Sequence, residues 1–491
     1  MPNNIDLLII KPGSPKKIYG DLSSELSAIE PPILGISVAA FVREKGYSVK
    51  IIDMETDGLD FEKTIDKIIE INPFLVNIVV AGANPSASST PLMAITGEIL
   101  RALKKKAPEI KTILTGIHPS ALPERTLMEE KTDFIGQGES FYTVLELLKA
   151  LKSDIKEELK IAGLWYLKEG KLISNGWGKL VKNLDELPLP AWDLLDMQKY
   201  RAHNWHCFGH LRERSPYAVI YTSFGCPYNC SYCNIRAFYD GKPGIRFRSP
   251  EKIIEEIDLL VKKYNVKNIK FLDELFAINE ERVNQVCDLL IRRGYDLNIW
   301  AYARINTVNE KMLEKMRKAG VRWLCYGIES GNQKVRTGVD KLGFGQEQIK
   351  KVIKITQDAG IYILGNFIFG LPDDDLQSME ETFNLAKELN CEYVNFYAAM
   401  AYPGSRLYEE AVEKGLELPK TWLGYAQLNE ETLPLPTKYI SGRDVLRFRD
   451  QAFQGYFSRP AYLKMIEEKF GQEAVSHIKE ILKYEIKRKF A

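Results

Sequence analysis

Three cysteines in one short stretch constrain this chain more than any other feature. They are Cys226, Cys230 and Cys233, separated by three and then two residues. Thiolates are the usual protein ligands of iron–sulfur clusters, and such short spacings let one loop bind several irons of a cluster. Three ligands leave one iron open, and an open iron can bind a substrate. A zinc site, which would need a fourth Cys or His nearby, and chance clustering are the alternatives.

The composition is that of a globular protein without a dominant charge. At 491 residues with 45% hydrophobic content, the chain can bury the cores of two or three domains. The 67 basic and 66 acidic residues give a net charge of +1, so no overall field attracts nucleic acid. The first apolar run, residues 7–10, is too short for a signal sequence or a membrane span. Because isolated cysteines favour a reducing compartment, we expect a cytoplasmic protein.

Residues 1–150 alternate short apolar runs with amphipathic segments, which is typical of a doubly wound, Rossmann-like α/β domain. Strands are predicted at residues 7–10, 49–53, 75–80 and 112–116, and helices at 35–45, 61–71, 91–105 and 140–151. Such a sheet binds ligands beyond the carboxyl ends of its strands. The candidate binding residues near these ends are Asp53, Glu55, Gly58, Ser86, Gly116, His118, Gly136, Gly138 and Glu139.

Residues 151–215 read as a linker. A hairpin is predicted over residues 161–174, turned by Glu169 and Gly170. Further on, four residues stand at spacings that could hold a metal ion: His203, His206, Cys207 and His210. Lining of an active site is the other interpretation of this group.

Residues 216–420 alternate strand and helix about six times, which predicts a (β/α)6 partial TIM barrel. Its strands are predicted at residues 218–221, 268–272, 297–300, 323–327, 363–368 and 393–397. Residues 421–491 read as a helical C-terminal domain. Its helices are predicted at residues 443–457, 460–470 and 472–490.

The cysteine motif, with Tyr232 before its last cysteine, resembles that of the radical S-adenosylmethionine (SAM) superfamily. The resemblance implies that the three cysteines ligate a [4Fe-4S] cluster whose open iron chelates SAM. It also implies that groups at the ends of the barrel strands contact SAM, with an acidic pair receiving its amino group. The implied contacts are Tyr232, Asp273, Glu274, Arg304, Glu329, Ser330, Gly331, Ile368 and Gly370.

The motifs at residues 31–35, 53–58, 116–119 and 136–139 resemble the cobalamin-binding domain that precedes many radical enzymes. That domain's signature, Asp-x-His-x-x-Gly, supplies a His ligand to cobalt, and Glu55 stands at the aligned position here. We therefore expect a bound cobalamin without a protein His ligand. His118 is expected either to donate a hydrogen bond to a corrin amide or to be a turn residue. A sheet that has lost its cofactor is the alternative for the whole domain.

Together the resemblances imply a cobalamin-dependent radical SAM methyltransferase of the class B type, acting on an unactivated carbon of a small molecule or lipid. One alternative is a relative that forms a ring or rearranges carbon without methyl transfer. A cobalamin or redox sensor is another. An external electron donor of the flavodoxin or ferredoxin type would reduce the cluster. We expect a monomer with no nucleic-acid partner.

For two further groups of residues, the sequence is compatible with two interpretations each. The basic residues 483–490 predict either weak contact with an anionic membrane surface or a solvated helix end. Six aromatic residues predict either an apolar lid between the two cofactors or simple packing of the tail onto the barrel. They are Trp205, Phe208, Phe448, Phe453, Tyr456 and Phe457.

Overall fold

The computed structural model describes residues 5–13, 17–18, 20, 27–153 and 159–490. Their strands form a seven-stranded sheet, a six-stranded sheet and a two-stranded ribbon. The two large sheets are the two α/β units that the apolar pattern predicts. None of the helices in these ranges is long and apolar enough to cross a membrane.

The first sheet contains the first seven strands. They are β1 Ile5–Lys11, β2 Val49–Asp53, β3 Pro73–Val80, β4 Lys111–Gly116, β5 Phe134–Gly136, β6 Leu164–Lys168 and β7 Lys171–Ser174. Their order is β2-β1-β3-β4-β5-β6-β7, and β1 to β5 are parallel. The antiparallel hairpin β6–β7 is the one predicted in the linker, and it extends this sheet beyond β5.

Helices cover both faces of the first sheet. They are α1 Ile33–Glu44, α2 Phe61–Ile71, α3 Pro85–Ser88, α4 Met93–Lys106, α5 Ile117–Ala121, α6 Pro123–Glu129 and α7 Phe141–Lys152. Residues 7–10 of β1 are all fully buried. A strand covered on both faces has no solvent side, which explains why its sequence is a continuous apolar run.

The second sheet is a partial barrel. The remaining strands are β8 Tyr217–Ile220, β9 Ser223–Cys226, β10 Gly244–Phe247, β11 Asn268–Phe271, β12 Asn298–Ala303, β13 Val321–Glu329, β14 Tyr362–Phe369 and β15 Tyr393–Ala398. Six of them lie parallel in the order β15-β14-β13-β12-β11-β8, which confirms the predicted (β/α)6 pattern. The antiparallel ribbon β9–β10, which the sequence pattern did not predict, carries Cys226.

The barrel helices begin and end where the sequence supplies caps. They are α8 Pro250–Tyr264, α9 Glu280–Arg293, α10 Glu310–Lys318, α11 Gln333–Gly338, α12 Gln346–Asp358, α13 Leu376–Leu389 and α14 Arg406–Glu413. The side chain of Ser249 accepts a backbone N–H at the start of α8, and that of Asn279 does so for α9. Both helices end on left-handed residues, Asn265 and Gly294.

The C-terminal segment is helical only in part. Its helices are α15 Gly442–Phe457, α16 Pro460–Phe470 and α17 Gln472–Ile481. The prediction of one helix over 472–490 is wrong after Ile481. Arg488 instead turns inward, where its guanidinium pairs with Asp450 and donates to the backbone carbonyls of Gln427 and Asn429. Its side chain is 5% exposed, so the end of the chain is not a free solvated helix.

One buried ion pair joins the first α/β unit to the barrel. The Lys270 ammonium, on β11, donates to both carboxylate oxygens of Glu30 at 3.0 and 3.2 Å and to the Ala83 carbonyl at 2.7 Å. The Tyr217 hydroxyl donates to the same carboxylate at 3.3 Å. Burial lowers the pKa of Lys270, and the charge of Glu30 opposes that effect. The two opposite charges thus compensate each other at a position that is buried from water.

Breaking this pair should destabilise the protein more than removing it. Glu30→Gln leaves the Lys270 ammonium buried without its counter-charge, so we expect unfolding to become easier by about 3–5 kcal/mol. The double variant Glu30→Leu/Lys270→Met removes both charges and should lie within about 2 kcal/mol of wild type. Urea unfolding of the apo protein measures both. Lys354→Ala, which loses only an exposed pair with Asp358, is the control and should change stability by less than about 1 kcal/mol.

Candidate active site

The cysteine loop follows directly from β9. Gly225 precedes Cys226 with φ of 94°, and a side chain there would collide with the carbonyl oxygen of Gly244 on β10. Only glycine suits this close crossing of two backbones. Further along, the Ser231 N–H donates to the Val339 carbonyl at 3.1 Å, which ties the middle of the loop to the barrel.

All three thiols of the loop are free and half-buried. Burial raises the pKa of Cys226 to about 11 and that of Cys233 to about 12. Among the described residues, no three thiol, imidazole or carboxylate groups converge as ligands of one metal ion. That disfavours the zinc alternative, whereas in a four-iron cluster each thiolate binds a different iron.

The acidic pair after β11 has two different environments. Asp273 is fully buried, and its carboxylate accepts from the Thr222 N–H at 2.6 Å, the Ser223 hydroxyl at 2.7 Å and the Thr222 hydroxyl. Its oxygens therefore hold the turn that leads into the cysteine loop. Glu274 accepts from the Gly225 N–H at 3.2 Å, and burial raises its pKa to about 8.

Glu329 ends β13 in an unusual conformation. Its φ is 65°, in the left-handed region that residues other than glycine rarely adopt, and the β13–β14 register shifts at this point. The carboxylate accepts from the Tyr232 hydroxyl at 2.9 Å and the Lys341 ammonium at 2.8 Å. Burial lowers the pKa of Lys341, but Glu329 and other nearby charges raise it overall. The strained turn places this ion pair beside the cysteine loop.

Arg304, just past β12, is a cation beside the cysteine loop. One of its nitrogens lies 3.9 Å from the Cys230 sulfur, and its guanidinium lies 3.9 Å from the Tyr228 ring centroid. Another nitrogen donates to the Leu342 carbonyl. A cation so placed stabilises a thiolate or any negative charge at Cys230.

Two predicted contacts, Ser330 and Gly331, face a helix instead. The Ser330 and Thr382 hydroxyls share a hydrogen bond of 3.0 Å, and the Gly331 N–H donates to Thr382 at 2.9 Å. A side chain at Gly331 would lie 2.9 Å from the Glu381 carbonyl oxygen. These residues set the distance between the end of β13 and helix α13.

The end of β14 is similarly held. The backbone N–H groups of Gly370 and Leu371 donate to the Asp374 carboxylate at 2.9 and 3.0 Å, and burial raises the pKa of Asp374 to about 6. A side chain at Gly370 would collide with Val445 of α15. Ile368 is half-buried two residues before this turn and packs against the same apolar cluster as Tyr232.

A cavity of about 830 Å³ runs between the first sheet and the interior of the barrel. On the side of the first sheet its lining comes from residues 11–13, 31–35, 81–85 and Glu55. Inward-facing barrel residues form the second wall: Lys270, Trp300, Tyr302, Cys325, Leu364, Asn366, Tyr393, Asn395 and Tyr397. The C-terminal segment forms the third wall, including Arg449, Gln451, Phe453 and Tyr484. The barrel residues alternate along each strand, as side chains of one face must.

Of the residues predicted to contact cobalamin, only Glu55 lines this cavity. Its carboxylate lies 3.6 Å from the Lys11 ammonium, and burial raises its pKa. Asp53 accepts from Lys11 at 3.1 Å and from the Tyr200 hydroxyl at 3.0 Å. Asp53 therefore positions Lys11 and, through it, Glu55.

Glu139 and His118 do not fit the predicted contacts. The Glu139 carboxylate pairs with Arg246 of β10 and accepts from the Val181 N–H at 2.9 Å, so it links the first unit to the cysteine ribbon. His118 is fully buried under Trp422, with ring centroids 4.5 Å apart. Burial, followed by the charge of Arg125, lowers its pKa to about 3, and the ring does not reach the cavity.

The other predicted cobalamin contacts serve the backbone. Gly116 has φ of 112°, and a side chain there would collide with the Val80 carbonyl of the neighbouring strand. Gly58 and Gly138 also have positive φ, while a side chain at Gly136 would lie 2.9 Å from the Ser140 hydroxyl. Ser86, on α3, does not line the cavity.

The sequence patterns missed the polar residues inside the barrel. Lys270, Asn366 and Asn395 each stand within an apolar strand, at positions whose side chains face the cavity. The sequence does carry a signal for them, because a polar residue is unusual at a position of a buried strand whose side chain faces inward.

The segment before β8 forms no metal site among the residues that are described. The His206 ring bonds to the Asn298 carbonyl at 3.0 Å, and the Cys207 thiol donates to Asn268 at 3.4 Å. His203 lines the cavity, in agreement with the active-site alternative.

The predicted aromatic lid is present only in part. Trp205 and Phe453 line the cavity. The remaining members pack into the core between the tail and the barrel, which was the other interpretation: Phe208, Phe448, Tyr456 and Phe457.

Family models match both units of this architecture. The radical SAM superfamily model matches residues 220–386, and the B12 binding domain model matches residues 25–148. The chain is 31% identical over 437 residues to the uncharacterized methyltransferase PH0819 of Pyrococcus horikoshii, covering 88% of this chain and 89% of that protein. The chain belongs to the radical SAM superfamily, in the group with a B12 binding domain.

Other proteins similar to this chain differ in the reactions their names state. The anaerobic magnesium-protoporphyrin IX monomethyl ester cyclase of Rubrivivax gelatinosus is 26% identical over 403 residues, covering 81% of this chain and 69% of that one. The structure of the radical SAM methyltransferase TsrM from Kitasatospora setae covers 93% of this chain and 89% of its own, with a TM-score of 0.67 at 16% identity. The latter likeness shows a shared fold.

This radical SAM enzyme has three cofactors, namely a [4Fe-4S] cluster, SAM and cobalamin. The residues present fit them. Three free thiols share one loop, and cationic and carboxylate groups surround it. The cavity opens against the carboxyl ends of β1 and β3, where a doubly wound sheet binds its ligand.

The two acids after β11 should respond differently to mutation. Asp273→Ala leaves the Thr222 N–H and two hydroxyls buried without an acceptor, so we expect a loss of about 2–4 kcal/mol. Glu274→Gln keeps an oxygen for the Gly225 N–H and removes no buried charge pair, so its cost should stay below about 1 kcal/mol. Urea unfolding of the apo variants measures both. Equal losses would contradict the division of roles between the two side chains.

Proposed function

We propose that this enzyme is a cobalamin-dependent methyltransferase acting on an unactivated carbon of a small molecule or lipid. The observation that carries the proposal is the single cavity that joins the cobalamin-side strand ends to the barrel interior. Within the barrel the cavity reaches Tyr221 and Leu272. These residues are adjacent in sequence to Thr222 and Asp273, whose hydrogen bond holds the turn before the cysteine loop. A substrate in it can face both cofactor sites.

The cluster ligands in this proposal are Cys226, Cys230 and Cys233. Glu274, rather than Asp273, is the acid available to the SAM amino group, because Asp273 already holds the turn before the loop. Arg304 and Lys341 offer positive charge near the loop, and Glu329 orients Tyr232 and Lys341. When bound, the reduced cluster and SAM supply a 5′-deoxyadenosyl radical, and methylcobalamin supplies the methyl group.

On the cobalamin side, Glu55 and Lys11 form the polar part of the wall, and we propose that no His of the first sheet reaches the cobalt. His118 is withdrawn under Trp422, which supports this. The backbone of residues 81–85 and 11–13 forms the rest of that wall.

Ring formation without methyl transfer remains the second candidate, favoured by the cyclase relative. The name of the relative that is 31% identical favours methyl transfer. For the cellular setting we propose a monomer in the cytoplasm, reduced by a flavodoxin- or ferredoxin-like donor. A reduced cluster requires such a compartment.

Replacing the three cysteines tests the cluster. The triple variant Cys226→Ala/Cys230→Ala/Cys233→Ala should lose nearly all iron after anaerobic reconstitution, and SAM cleavage with it, because its ligands are gone. Cys287→Ala, which removes a buried thiol of α9, is the matched control and should keep both. Iron analysis and 5′-deoxyadenosine yield are the measurements, and retention of iron by the triple variant would refute the assignment.

Product analysis tests the reaction. Extract of cells lacking the protein, incubated with the reduced holoenzyme and methyl-labelled SAM, should yield S-adenosylhomocysteine together with 5′-deoxyadenosine and a labelled small molecule or lipid. 5′-Deoxyadenosine without S-adenosylhomocysteine would support the second candidate instead. If neither forms, the protein acts as a sensor and the proposed function is wrong.

A further inference from the structure

Three polar side chains form a ladder across neighbouring strands inside the barrel. The Asn395 amide of β15 donates to the Asn366 oxygen of β14 at 3.0 Å, and the Asn366 amide donates to the Cys325 sulfur of β13 at 3.1 Å. Asn366 and Asn395 are directly paired in the strand register. All three residues line the cavity.

The ladder leaves hydrogen-bonding capacity unused. Each Asn amide has two N–H donors and an oxygen with two lone pairs. The two bonds use one N–H of each amide and one lone pair of the Asn366 oxygen, so one N–H of each amide, the second lone pair of Asn366 and both lone pairs of the Asn395 oxygen remain. Because polar groups without partners are costly in an apolar setting, this wall favours a ligand with a polar group of its own.

Three cations of the same cavity wall are already paired with carboxylates. Lys270 pairs with Glu30, Lys11 with Glu55, and Arg449 with Asp450. Within the described part of the wall, an anion next to the ladder would have to compete with an existing carboxylate for its cation. The ladder therefore favours a neutral polar group.

The ladder is distant from Glu329 and Gly370, two of the proposed SAM contacts, whereas Ile368, a third, is only two residues from Asn366 on β14. Cys325 precedes Glu329 by four residues on β13, and at about 3.3 Å per residue this separation is about 13 Å. Asn366 precedes Gly370 by the same number of residues. A substrate held by the ladder and reacting near the cysteine loop must therefore be elongated.

We propose that Asn366 and Asn395, supported by Cys325, bind a neutral hydroxyl or carbonyl group at one end of an elongated, otherwise apolar substrate. They are thus specificity-determining residues that fix which carbon approaches the radical site. This inference rests on the proposed function, since it names the substrate class of that site.

Three probes of similar skeleton test the inference: farnesol, the hydrocarbon farnesene and farnesyl monophosphate. Equilibrium dialysis of each radiolabelled probe against the anaerobically reconstituted holoenzyme should show farnesol binding about tenfold more tightly than either of the others, since one buried hydrogen bond is worth about that factor. Tightest binding of the phosphate, or no binding of any probe, overturns the proposal.

Variants of Asn366 and Asn395 test whether these residues cause the preference for farnesol over farnesene. Asn366→Leu and Asn395→Leu should each reduce the farnesol-to-farnesene affinity ratio about tenfold, whereas Gln285→Leu, an exposed amide of α9 that does not line the cavity, should preserve it. Because Asn366 is in a central strand, Asn395→Ser serves as a milder second variant with the same expected direction. An unchanged ratio in the folded Asn395 variants refutes the ladder's role.

The test separates this inference from the proposed function. Probe binding does not require methyl transfer, so a holoenzyme that forms no S-adenosylhomocysteine yet keeps the ladder-dependent ratio contradicts only the reaction. A methyl-transferring enzyme with no such ratio contradicts only the ladder.

Discussion

The pairing of Lys270 with Glu30 fixes how the two halves of this enzyme face each other. The carboxyl ends of parallel strands lie along one edge of a sheet, and ligands bind at that edge. Here the ammonium from the barrel meets a carboxylate and the Ala83 carbonyl from the first unit, inside the space that they share. A buried charge tolerates little displacement from its partner. The separation of the cobalamin wall from the barrel wall thus depends on a contact that belongs to neither cofactor.

A second constraint acts at the cysteine loop. An acid next to a cluster would be expected to serve the cofactor, but Asp273 holds Thr222 and Ser223 instead. Arg282 donates to the same Thr222 at 2.6 Å, so the turn is fixed from two sides. Precise placement of thiols requires such support beneath the loop. Glu274, by contrast, is half-buried and accepts from the Gly225 N–H at 3.2 Å and from the Tyr239 hydroxyl at 3.4 Å.

The fold was largely predictable because its strands are buried on both faces and its helices carry clear caps. The candidate site was less so. Strand ends identify an edge of a sheet but not which side chains turn toward it: His118 was covered by Trp422, and Glu139 was engaged by Arg246, both from distant parts of the chain. The prediction of a helix up to residue 490 was wrong for the same reason, and the helix ends at Ile481. Helical periodicity does not reveal that Asp450 and two backbone carbonyls attract Arg488.

Charged residues of the C-terminal segment lie along the third wall of the cavity. Asp450 lies between Arg449 and Arg488, and Arg449 also donates to the Phe396 carbonyl at 2.7 Å. These groups close one side of a cavity in which Lys270 pairs with Glu30 across the interface and Lys11 pairs with Glu55 within the first unit. Because these cations are paired with carboxylates, polar residues can surround an apolar reaction space without leaving a buried cation uncompensated. A highly reactive radical requires such a space, since loosely held water or mobile ionic side chains would offer it competing partners.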